Sequence, residues 1–252
     1  MKFNSKIILD RLNRVPDMGA QFENIFRYVL TAATLQSERK LSANDLKNLS
    51  KIFQKSLPAP LKEKFTENLL VLDHNDQPIG HSNWLLVRLA GLKHSGVLLM
   101  ITRQNEVLLS QRANDISDGG SLDFTAGGGL SVFGEKAVKK HAIQELFEEV
   151  FSLPISPLMS LQEKRISFLG HQWVNKEDGK FGLVYSKNFV HHLAWNSDLP
   201  PIRPNNESKQ VLWMPREKFL ELPHRKNTQL SYDLKVLFSN SELITKLMNL
   251  VN

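Results

Sequence analysis

Hydrophobic and polar positions alternate with two different periods along this chain, and the change falls near residue 66. Up to there the period is helical. "FENIFRYVLTAATL" sets Phe22, Ile25, Phe26, Val29 and Leu30 three and four apart, which predicts a helix with one apolar stripe. "SANDLKNLSKIFQKSL" opens on Ser42 with Asp45 three residues later, a capping-box spacing, and then carries Leu46, Leu49, Ile52 and Phe53 on one face. Pro58 and Pro60 cannot continue that helix, so a boundary is expected there. Beyond it the runs shorten. "LLVLD" is followed by the turn residues of "HNDQPIG", and "GVLLMIT" and "VLLSQR" flank the polar "RQNE" as a hairpin. "RISFLGHQWV", "FGLVYSKNFVHHLAW" and "KQVLWMP" read as further strands, and "SYDLKVLFSNSELITKLMNL" as one closing amphipathic helix or two. Strands on either side of a central helical stretch predict an α/β sandwich around a mixed sheet. The expected division is a helical extension over residues 1–66 and one domain over 67–252.

Charge sharpens that division. Residues 1–66 hold 12 Lys and Arg against 6 Asp and Glu, whereas residues 67–252 hold 20 of each. The net charge of +6 therefore belongs to the helical segment. A basic helical segment suits nucleic acid, an acidic partner or a membrane surface, or is simply a solvated face. Its aromatic residues do not interleave with the basic ones as a base-stacking platform would require. The chain has no cysteine, which excludes disulfides, thiolate metal sites and cysteine nucleophiles and suits a cytoplasmic setting. No apolar run reaches the ~18 residues a membrane-spanning helix needs.

The candidate chemistry lies in "GGGLSVFGEKAVKKHAIQELFEEV", Gly127 to Val150. On an ideal helix starting at Val138, the apolar Ala142, Ile143, Leu146, Phe147 and Val150 fall between roughly 40° and 180°. Glu145, Glu148 and Glu149 fall together between roughly 280° and 20°, away from that core face. Like charges three and four apart repel. Holding a divalent cation turns that repulsion into a binding site, and Mg2+ takes carboxylate oxygens while keeping several waters. Gly127, Gly128 and Gly129 read as a turn whose bare backbone approaches an anion.

The same stretch resembles the box of the Nudix hydrolases, G-x5-E-x7-R-E-U-x-E-E-x-G-U. Gly129 and Glu135 match its first half, and Glu145, Leu146, Glu148 and Glu149 its second. One extra residue separates the halves, Gln144 stands where the family has Arg, and Phe151 stands where it has Gly. The order of "VLDHNDQPIG", "GLKHSG", "VLLSQRA", "SLDFTAGGG" and "VLWMPREKF" is similar to the branch that includes isopentenyl diphosphate isomerase, over roughly residues 67–240. The resemblance implies a Nudix-like α/β/α sandwich and hydrolysis of a diphosphate bond in a small molecule. It implies Mg2+ or Mn2+ held by Glu145, Glu148 and Glu149, with one of them orienting or deprotonating water. It also gives Arg112, after Gln111, a phosphate-binding or acid-pairing role. Isomerase chemistry of that branch needs a cysteine, which is absent here. The extra residue turns Glu135 away from the later acids. The alternative is a Nudix-fold module that binds a ligand or partner without catalysis.

Other residues are expected to be structural or peripheral. His141 would pair with Glu145 one turn on. His191 and His192 alternate on a strand, so they cannot share a metal. His94 stands where the branch places a metal histidine, but its companions are missing, so a structural or substrate-facing place is expected for it. Glu207 lies on a polar loop where some Nudix enzymes carry a general base.

Overall fold

The computed structural model describes residues 5–15, 18–114, 118–154, 158–178 and 182–251. The outer ends of the two expected segments, and Phe181 at the start of the expected strand "FGLVYSKNFVHHLAW", lie outside them. The chain packs as two compact units. One comprises residues 1–95, 129–133 and 175–187, and the other residues 96–128, 134–174 and 188–252.

The first unit starts with helices α1 (Ser5–Leu12), α2 (Phe22–Ser37), α3 (Ala43–Ser56) and α4 (Ala59–Lys64). The Ser42 capping box forms in both directions: Asp45 N–H donates to Ser42 Oγ at 3.2 Å, and Ser42 N–H to Asp45 Oδ2 at 3.3 Å. Leu46, Ser50 and Phe53 are buried beneath α3, while Ile52 is 42% exposed and stands off the expected face. Pro58 and Pro60 end α3 as expected and at once begin α4, because a missing N–H costs nothing in a first turn. Strands β1 (Asn68–Leu72) and β2 (Pro78–Asn83) follow as an antiparallel pair, Asn68 opposite Asn83, and Val71 pairs with His94.

Helix α5 (Trp84–Ala90) was not foreshadowed by periodicity. It is buried nearly all round, so its run of apolar residues has no polar face to betray a period. Its caps are nonetheless local. Asn83 Oδ1 accepts from Leu85 N–H at 3.0 Å, and Gly91 closes the helix at φ 64°. Ile8, Leu12, Ile25, Val29, Leu46 and Phe53 share one core with Leu69, Val71, Leu85 and Leu89. The basic helices thus bury their apolar faces on β1 and α5.

The further strands are β3 (His94–Arg103), β4 (Glu106–Arg112), β5 (Leu122–Asp123), β6 (Ala126–Gly129), β7 (Ser167–Asp178), β8 (Gly182–Ala194) and β9 (Ser208–Pro215); residues 94–95, 129, 175–178 and 182–187 of them belong to the first unit and the rest to the second. The β3–β4 hairpin sets Ile101 opposite Leu108 and turns at Gln104, whose φ is 45°. β4 pairs antiparallel with β5 and β9; β3 also neighbours β6 and β8, and β8 neighbours β7. Helices α6 (Glu135–Glu149), α7 (Leu158–Glu163), α8 (Arg216–Leu220), α9 (Tyr232–Ser239) and α10 (Ser241–Met248) complete the unit. The closing amphipathic stretch divides at Asn240, whose Oδ1 caps α10 by accepting from Leu243 N–H. Leu98, Met100, Val107, Phe124, Leu234, Leu237 and Leu247 form one core. The mixed α/β class and the helical N-terminal part are as the sequence leads one to expect. No described helix is long and apolar enough to cross a membrane.

Candidate carboxylate site

Helix α6 buries Val138, Ala142, Ile143, Leu146 and Phe147, the face its pattern predicts. Its acids do not stay together on the opposite side. Glu145 and Glu149, one turn apart, lie against β6, whereas Glu148 is exposed and accepts from Gln144 Nε2 at 2.9 Å. Glu145 and Glu149 are about 40° apart around the helix, and Glu148 lies about 100° from Glu149. A flat strand can cover the first two and miss the third. Among the described residues no three His, Cys, Asp or Glu side chains gather as a metal-binding group.

The glycines also differ from expectation. Gly127, Gly128 and Gly129 are strand residues of β6, and none has a positive φ. Their lack of side chains serves close approach. A Cβ on Gly128 would lie 2.5 Å from Glu145 Oε1, and one on Gly127 would lie 2.7 Å from Leu98 Cδ2 and 2.8 Å from the Val97 carbonyl. Gly129 is packed on Leu69 within the first unit. The backbone does meet an anion, but that anion is the chain's own carboxylate: Gly127 N–H donates to Glu149 Oε2 at 3.1 Å.

Each acid has a defined neighbourhood. His141 Nε2 lies 2.9 Å from Glu145 Oε1, as the one-turn spacing predicts. Burial, then the negative charges of Glu145 and Glu207, push the Glu149 carboxyl well above the ordinary carboxylate range, against the pull of Gly127 N–H and Arg112. Glu207 reaches this neighbourhood because its loop is pinned to the end of α6. Arg203 N–H donates to the Val150 carbonyl at 2.8 Å, and Asn205 N–H to the Glu149 carbonyl at 3.0 Å. Phe151 fills the aromatic core, edge-on to Phe147 at 5.4 Å. The left-handed residue after the helix is Ser152, at φ 50°. Val150 keeps a right-handed conformation at the helix end, and the reversal falls one position after Phe151.

Arg112 Nη1 donates to Asp123 Oδ2 at 2.8 Å. Burial opposes its charge, but Asp123, then Glu149 and Asp233, hold its pKa above the usual value. Asp123 also accepts from Phe124 N–H at 2.8 Å and from Ser231 Oγ at 2.6 Å. Asp123 and Ser231 were not singled out in the sequence. The signal available was only that an Arg buried beside a phosphate-type site needs a carboxylate to aim it. Glu135 pairs with Lys139 at 2.9 Å on the exposed start of α6, apart from the other acids. His94 is buried, its Nδ1 set 2.9 Å from the Leu92 carbonyl, and burial lowers it to about 4. His191 and His192 are lowered likewise, to about 4, and His192 Nε2 meets Thr102 Oγ1 at 2.7 Å. All three histidines are neutral structural groups at physiological pH.

The donor chemistry fits a hard divalent cation at the pair. Glu145 and Glu149 supply two carboxylates, the number Mg2+ commonly takes while retaining waters. Their mutual repulsion, sharpened by Glu207, is relieved by positive charge.

A scan against protein-family models finds no match, and neither does a search of curated proteins. Solved structures do match. One is a MutT/Nudix family protein from Enterococcus faecalis, at 17% identity and TM-score 0.36, covering 48% of this chain; the chain spans 42% of that protein's length. The MutT protein from Methanosarcina mazei Go1 is 15% identical, TM-score 0.43, over 64% of this chain and 96% of that one. A Nudix hydrolase from M. smegmatis is 15% identical, TM-score 0.42, over 73% of this chain and 98% of its own.

Proposed function

We propose that the chain hydrolyses a phosphoanhydride bond in a small diphosphate-containing molecule, nucleotide-like or otherwise, with Mg2+ or Mn2+ as cofactor. The observation that carries this reading is the Glu145–Glu149 pair set against the bare backbone of Gly127 and Gly128. In this reading Glu145 and Glu149 hold the cation, and Glu148 is a flanking charge. The bound cation supplies charge neutralisation at the phosphates and acidifies a water. Glu207 accepts the proton of the attacking water as it adds to phosphorus and the anhydride oxygen leaves. Arg112, aimed by Asp123, faces the phosphate charge.

The test is calorimetric titration with Mn2+, together with turnover of nucleoside triphosphates, dinucleoside polyphosphates, nucleotide sugars and prenyl diphosphates, with and without Mg2+. Binding and metal-dependent turnover of at least one class are expected. No Mn2+ binding and no turnover across the panel would refute the reading. A second reading, a Nudix-like module that binds without catalysis, draws on the Gly127 N–H already engaged by Glu149. It predicts no Mn2+-dependent rise in melting temperature.

A further inference from the structure

Strand β2 is an edge strand: among the described residues it pairs with β1 alone. Which of its backbone groups stay open follows from β1. Leu70 N–H donates to the Leu130 carbonyl at 2.6 Å and Leu72 N–H to the Lys93 carbonyl at 2.8 Å, so both point away from β2. Val71 between them therefore turns to β2, opposite Gly80, and Leu70 and His81 oppose each other as a non-hydrogen-bonded pair. The N–H and C=O of His81 accordingly point outward, away from β1. The next outward N–H, that of Asn83, donates to Ser50 Oγ at 3.4 Å, where α3 reaches the edge. No partner meets the N–H or C=O of His81 among the described residues.

A groove of about 480 Å3 runs between this open stretch and α3, with Ile79, Gly80 and His81 on one side and Lys47, Ser50 and Lys51 on the other. Its helical wall is basic. Lys47 and Lys51 stand one turn apart, are exposed, and meet no carboxylate among the described residues. The one acid of α3, Asp45, is engaged by Ser42 N–H, and no described acid lines the groove.

Charge complementarity calls for an anionic occupant. Single-stranded nucleic acid is held by aromatic rings on which its bases stack, and no described Phe, Tyr or Trp lines the groove. An open N–H and C=O on one edge residue are what an extended peptide pairs with when it adds a strand. The spacing agrees. Four residues of helix rise about 6 Å, and side chains two apart on one face of a strand are about 6.6 Å apart.

We infer that this groove docks an extended acidic peptide of a partner protein. The peptide backbone pairs with the N–H and C=O of His81, and two of its carboxylates, two residues apart, meet Lys47 and Lys51. Fluorescence anisotropy on the full chain tests it. The probes are a labelled, end-blocked Thr-Glu repeat of about ten residues, its Thr-Gln counterpart, a copy N-methylated at its central glutamates, a deoxythymidine oligomer of equal length and phosphatidylserine vesicles. The Thr-Glu peptide should bind, and more weakly as salt rises. The Thr-Gln and N-methylated peptides should each bind about tenfold more weakly or worse. Lys47→Gln/Lys51→Gln should weaken the Thr-Glu peptide by a like factor, with melting temperature unchanged because both side chains are exposed. Lys226→Glu, which removes as much positive charge from the second unit, should leave its affinity unchanged. The inference is overturned if the Thr-Glu peptide does not bind, if the double variant keeps its affinity, if Lys226→Glu weakens it as much, or if the N-methylated copy binds as well. It is equally overturned if the oligomer or the vesicles bind more tightly and lose that binding in the double variant.

Discussion

Glu149 accepts a hydrogen bond from the backbone N–H of Gly127 at 3.1 Å, and this contact fastens helix α6 to strand β6 where the acids lie. Glu149 is held there against burial and against the charges of Glu145 and Glu207. Its folded pKa is raised, so its ionised form weakens the fold as pH rises above the ordinary carboxylate range. Glu149→Gln should therefore raise the melting temperature at pH 8 by a few degrees while lowering Mn2+ affinity about tenfold or more. A destabilised Gln variant that still binds Mn2+ would contradict the arrangement.

Glu148 gives the contrasting case. It is exposed and bonded to Gln144, so Glu148→Gln should change Mn2+ affinity far less than Glu145→Gln or Glu149→Gln. Titration of the three variants side by side ranks them.

Gly128→Ala would place a methyl group 2.5 Å from the Glu145 carboxylate, the movable end of a side chain. The carboxylate should swing aside, with little loss of stability and a marked loss of Mn2+ affinity. Gly127→Ala meets the Val97 carbonyl at 2.8 Å, which cannot swing. It should cost about 1–3 kcal/mol in urea unfolding.

The buried histidines set the acid limit. His94, His191 and His192 are each lowered to about 4, chiefly by burial. The unfolded chain takes up their protons near about 6.5, so stability is full above that pH and declines as pH falls toward about 4. Each contributes on the order of 3 kcal/mol. Urea unfolding at pH 7.5 and about 5 reads the loss, and His192→Gln should flatten its share. Stability unchanged over this range would count against neutral buried rings.

What the sequence disclosed was what is local. The Ser42–Asp45 box, the Ile101–Leu108 hairpin and the apolar face of α6 each depend on residues a few positions apart. The division of the three glutamates depends on where β6 crosses α6, which no spacing within the helix records. The glycine run is an instructive failure: its composition suggests a turn, but its cause is a carboxylate and a carbonyl arriving from elsewhere in the chain. Glu207 was visible as a loop acid, yet its proximity to Glu149 comes from backbone bonds to the end of α6.

Ser231 does two jobs: its Oγ caps α9 by accepting from Leu234 N–H at 3.1 Å and donates to Asp123, which in turn steers Arg112. The last two helices are consequently coupled to the aim of a cation far upstream in sequence. Clipping the chain ahead of Ser231 would take one of the hydrogen bonds that orient Asp123, and so loosen the seat of that guanidinium, without touching a single acid of α6.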